Sequence, residues 1–96
     1  MIRALQPLDG IEYMRTFRKQ NKLAALTSGP GKLTQALNLT REHNCIDLVN
    51  SDNLFLTEGP SVIRSSDIIA TERVGIRVGC EKRWRFSLIN NDWVSK

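Results

Sequence analysis

Two glycines, a proline and a lysine open the stretch Ser28-Gly29-Pro30-Gly31-Lys32-Leu33-Thr34-Gln35-Ala36-Leu37, an order that suits the capture of an anion. Ser28 or Gly29 can act as N-cap, and Pro30 fits the first helical position, where its missing N–H is no loss. Leu33, Ala36 and Leu37 recur at i, i+3 and i+4 and bury one side. The N–H groups of a first helical turn have no intrahelical partner, and with a lysine beside them they offer a place for a phosphate. An ordinary capped helix accounts for the same residues, so both readings stand. A P-loop does not fit, because Leu33 occupies the position of the magnesium-binding Ser/Thr and Leu26 that of the first glycine.

Other chemistry is thinly supplied. His43 is the only histidine, without triad context, and reads as a hydrogen-bonding structural residue rather than a metal ligand. Cys45 and Cys80 lack both metal-ligand spacing and activating neighbours, so they read as reduced thiols of an intracellular protein. Arg3 is set between apolar Ile2 and Leu5, which is unusual enough for an arginine to mark it as functional. Arg15, Arg18, Lys19 and Lys22 crowd the end of a predicted helix, where cations meet its dipole favourably; phosphate contact is the sharper alternative.

The elements that must position these residues follow from the pattern. Met1 to Leu8 reads as a strand entered midway. Asp9-x-x-Glu12 forms a capping-box-like pair, with Leu8 and Tyr13 as a hydrophobic staple, ahead of a helix to about Gln20 with Ile11, Met14 and Phe17 inward. Asn38 ends the next helix, and Thr40 opens a short turn over Arg41 to Asn44. From Asn50 onward, short strand-like runs alternate with turns: 54–56, 62–63, 68–69, 74–78 and 84–88. Val74, Ile76 and Val78 alternate with Arg73, Gly75 and Arg77, as do Trp84, Phe86 and Leu88 with Arg85 and Ser87, a period of two that predicts one buried face. Helices first and strands later make the class α+β.

The totals bound the rest. Ninety-six residues make at most one domain with a small core, burying roughly 60–65% of the unfolded surface. An apolar content of 41% with 25% charged residues excludes a disordered chain, and there is no 18-residue apolar run for a membrane span. A net charge of +4 and a pI near 9.5 permit nucleic-acid binding without establishing it.

Six segments in order carry a resemblance: Ile2 to Pro7, Gly10 to Arg15, Ser28 to Leu37, Thr40 to Asn44, Arg73 to Ile76 and Trp84 to Ile89. Together they resemble the C-terminal half of the alkyladenine (3-methyladenine) DNA glycosylase family, from Ile2 to the end. The resemblance implies a mixed α+β domain with a central, mainly antiparallel, barrel-like sheet and a few short helices, of which residues 1–96 are the C-terminal portion. It implies base excision repair: an alkylated or deaminated purine is flipped out of duplex DNA, and its N-glycosidic bond is hydrolysed without metal or cofactor. In that pattern Arg3 holds the attacking water and the Val74 backbone contributes a second contact to it. Ser28, Gly29 and Lys32 meet the DNA backbone, as does Arg41. The glutamate that serves as general base and the wedging tyrosine belong to the half expected upstream of Arg3, so this chain reads as truncated and inactive alone, with that half as a partner. A non-catalytic DNA-binding module or decayed gene product is the alternative. Gln6 in place of a glutamate, Cys45 in place of a glycine, Arg83 in place of a proline, and a shortened stretch between Val78 and Trp84 depart from the pattern.

Overall fold

A computed structural model describes residues 1–94, which fall into two compact units, 1–59 with 92–94, and 60–91. The first unit holds both α-helices, α1 (Ile11–Arg18) and α2 (Pro30–Ala36), which pack on each other. Short 3-10 turns cover Leu23–Ala25 and Arg41–His43. Its core is Leu26, Leu33 and Ala36, with Thr27 buried among them.

Helix α2 forms where the sequence calls for it. Gly29 is its N-cap, Pro30 opens it, and Leu33 N–H donates to the Gly29 carbonyl at 2.8 Å as the first helical bond. Leu33 and Ala36 are buried, while Leu37 at the C-cap is partly exposed. The stop is Asn38, which takes a left-handed φ of 52°. Asn38 N–H then donates to Gln35 O at 3.1 Å and Leu39 N–H to Thr34 O at 2.7 Å, closing the helix in a Schellman arrangement. The next turn is capped by Thr40, whose hydroxyl accepts from Glu42 N–H at 3.3 Å. His43 Nδ1 accepts from Thr40 N–H at 3.0 Å, which is the structural hydrogen-bonding role expected of the sole histidine.

Helix α1 departs from expectation at both ends. Its N-cap is Gly10, at a left-handed φ of 72°, with no side chain capping it, so Asp9 and Glu12 do not form a capping box. Leu8 and Tyr13 are both exposed and make no staple. Glu12 instead pairs with Arg15 at 2.6 Å, one turn on. The basic end serves packing: Arg18 donates to Gln35 Oε1 at 2.8 Å and to Ala25 O at 3.0 Å, bracing α1 against α2 and the turn before it. Farther on, Asp47 closes a turn by accepting from the Asn50 side chain at 2.7 Å and Val49 N–H at 2.8 Å, in that order of effect, which holds its carboxyl below the usual value. Cys45 has a φ of 65°, a left-handed conformation that costs a side chain about 1–2 kcal/mol and explains why glycine suits this position.

The second unit contains a two-stranded antiparallel sheet, β1 (Ile68–Thr71) and β2 (Arg85–Leu88), entered through a 3-10 turn at Ser65–Asp67. Ile68 faces Leu88, Ile69 faces Ser87, Ala70 faces Phe86 and Thr71 faces Arg85. The expected barrel-like sheet is corrected to this open pair, although α+β order and antiparallel pairing hold. The runs 1–8, 54–56, 62–63 and 74–78 are not strands. A strand needs a neighbour to satisfy its backbone groups, and among the described residues only β1 and β2 supply one to each other. Gly75 at φ 77° within 74–78 and Gly79 at φ 71° directly after it also bend the chain, so alternation of apolar side chains there does not become a ladder.

Candidate nucleic-acid interface

The segment carrying Arg3 is not a strand, yet it is fixed. Leu5 N–H donates to Thr27 O at 3.4 Å, and the Thr27 hydroxyl donates back to Leu5 O. This reciprocal pair joins residues 22 positions apart and sets the Arg-Ala-Leu run beside the Ser28–Lys32 loop. Thr27 is 1% exposed, so its hydroxyl could not exchange this partner for water without cost. Sequence reasoning passed over Thr27, because a threonine before Ser-Gly-Pro carries no distinguishing signal.

In that loop Gly29 is buried and Ser28 half-buried, whereas Lys32 and Arg41 reach solvent. Gly29 has an extended backbone that any residue adopts, and a Cβ built on it would stand 3.7 Å from Lys32 Cδ. The lysine stem thus folds back over Gly29. Gly31 faces open space, leaving the approach to the first turn uncovered. With seven residues α2 is short, so the lysine charge rather than the helix dipole supplies most of any pull on an anion.

Arg3, Ser28, Gly29, Lys32 and Arg41 all belong to the first unit; Val74 belongs to the second, exposed on the bend that Gly75 makes. The first unit brings the Arg3 segment and the Ser28–Lys32 loop together through Leu5 and Thr27, with Arg41 on the turn that follows α2. No described group of histidine, cysteine and carboxylate side chains has the makings of a metal site, and no described helix is long and apolar enough to cross a membrane.

Removing the Thr27 hydroxyl while keeping its shape should leave the Leu5 carbonyl unpaired. Thr27→Val is expected to destabilise the first unit by about 1–2 kcal/mol. Urea unfolding followed by far-UV circular dichroism reads this directly, since both α-helices lie in that unit. An unshifted midpoint would show that the tie contributes nothing.

Comparison with known proteins places these motifs. Residues 1–92 match the family model described as methylpurine-DNA glycosylase. A protein of Francisella tularensis is 42% identical over 97 aligned positions, covering all of this chain and 50% of its own length. A Carboxydothermus hydrogenoformans protein is also 42% identical, with the same coverage of both chains. A Deinococcus radiodurans protein is 40% identical over 99% of this chain and 50% of its own length. All three bear the name 3-methyladenine DNA glycosylase as a provisional assignment. The chain spans about half the length of the curated relatives it matches, and it belongs to the methylpurine-DNA glycosylase family.

Proposed function

We propose that this chain supplies the water-orienting and backbone-gripping part of a DNA glycosylase that hydrolyses the N-glycosidic bond of an alkylated or deaminated purine flipped out of duplex DNA. The observation that carries the reading is the Leu5–Thr27 pair, which ties the Arg3 segment to the Ser28–Lys32 loop within a chain of this family. In the reaction a water oxygen bonds to the sugar C1′, the bond from C1′ to the base nitrogen breaks, and the base leaves with the bonding electrons, needing a proton when it is a neutral deaminated purine and none when alkylation has made it cationic. Arg3 donates hydrogen bonds that orient the water, and the family pattern gives the Val74 backbone a further contact to it. Lys32 and Arg41 each contact the DNA backbone, with Ser28 and Gly29 shaping the loop. No metal or cofactor enters the scheme. Proton removal from the water falls to a carboxylate in a partner half, the part of the relatives' length that this chain does not span.

That half-length coverage also supports a second reading, a DNA-binding module without catalysis, which keeps the phosphate contacts and loses the hydrolytic step.

Both readings put Lys32 on the DNA backbone, and a salt titration tests it. Lys32→Ala is expected to weaken duplex binding about equally for all sequences and to lower the slope of log K against log salt by about one unit, the loss of one phosphate contact. A slope equal to wild type would reduce the Ser28–Leu37 stretch to a capped structural helix.

A further inference from the structure

We infer that Thr27 is a positioning residue for the hydrolytic step, its hydroxyl fixing the backbone that carries Arg3; this rests on the water-orienting role proposed for that arginine. Arg3 is exposed and its run is not a strand, so neither burial nor a ladder of backbone bonds sets its place. Two bonds meet at Leu5, two residues on. The one from Leu5 N–H to Thr27 O spans 3.4 Å, which is weak beside the usual range of about 2.7–3.2 Å. The other, from the Thr27 hydroxyl to Leu5 O, is the close one, so the hydroxyl does most of the holding.

What the hydroxyl hangs from is rigid. Thr27 is 1% exposed and follows Leu26, which is wholly buried. A β-branched side chain in such a place has few rotamers open to it. Just before it Leu26 N–H donates to Leu23 O at 3.1 Å, and just after it Gly29 O receives the first bond of α2. Thr27 thus gives Leu5 a fixed point, held from both sides by bonded backbone. A span of two residues reaches about 7 Å at full stretch, so a freed Leu5 lets Arg3 shift by more than the roughly 1 Å that can cost 10²-fold in rate. Thr27 touches no reacting atom in this scheme and acts only through the arginine.

The test is a pair of substitutions in a protein restored to the relatives' full length. Thr27→Val should lower single-turnover base release about tenfold and leave duplex affinity within about threefold, since Arg3 still visits its productive place part of the time. Thr27→Ser keeps the donor and should recover release to within about threefold of wild type. With Arg3→Ala already present, Thr27→Val should cost less than about twofold, because the group it positions is gone. Should the valine protein fail to fold, Thr27→Ala takes its place in the same comparison, as the smaller residue leaves room for water at the Leu5 carbonyl. Equal losses with and without Arg3, an equal loss from Thr27→Ser, or a hydroxyl-free protein as fast as wild type would each overturn the positioning role while the water-orienting role stands. An Arg3→Ala protein that releases base at the wild-type rate overturns that role and this inference with it.

Discussion

Purified by itself, the chain is expected to release neither hypoxanthine nor 3-methyladenine from duplex DNA above the spontaneous rate. Hydrolysis needs a group to take the proton of the attacking water, and such a general base contributes about 10²–10⁴-fold. Arg3 cannot be that group, because a guanidinium stays protonated and only donates. Nor could a backbone contact from Val74, as the proposed reaction has it, take the proton. Lengthwise the chain covers half of its relatives, and the base assigned to the other half is not among these residues in the family resemblance. Chromatography of the bases released from a damaged duplex reads the result. Excision by the 96-residue chain alone would place the base within it and refute this division of labour.

Arg3→Ala, made in a protein restored to the relatives' full length, should lower single-turnover base release by about 10²-fold and change duplex affinity by less than about threefold. The inequality follows from what Arg3 touches in the proposed reaction: water that becomes a nucleophile, not phosphate present equally in bound ground state and transition state. Removing one such donor costs catalysis on that scale. Arg3→Lys should recover only part of the loss, because an ammonium is a point charge and lacks the planar fork that fixes a water in one orientation. Equal losses in release and affinity would make Arg3 another backbone contact.

What the residues foretold depends on how local the causes were. Helix α2 was legible because Pro30, the Leu33–Ala36 spacing and Asn38 each act within a few positions, and the turn at Thr40 and His43 was legible for the same reason. The start of α1 was not: Gly10 took the left-handed cap that the Asp9 and Glu12 pattern suggested for a side chain. Strands fared unevenly because pairing is non-local. The alternation in Trp84 to Leu88 found a partner in β1, whereas the equally regular Val74 to Val78 did not and bent at glycine. The family, by contrast, was readable from ordered motifs, since their sequence and spacing survive whatever the backbone does around them. The bond between Leu5 and Thr27 could not be foreseen, as nothing in either residue names the other.

That bond makes a ring of the chain between Leu5 and Thr27. A closed segment can change its contour without moving its clasp, and doubling the length of a flexible loop costs only about 0.6 kcal/mol of closure entropy. The ring contains the whole of α1 and the turn that follows it. Insertions near Lys19 to Lys22, where the chain is mostly exposed and no α-helix runs, would therefore enlarge the ring while the clasp still holds the arginine segment to the lysine loop. Length variation among such chains has a place to accumulate that leaves the spacing of the Arg3 segment and the Ser28–Lys32 loop unchanged.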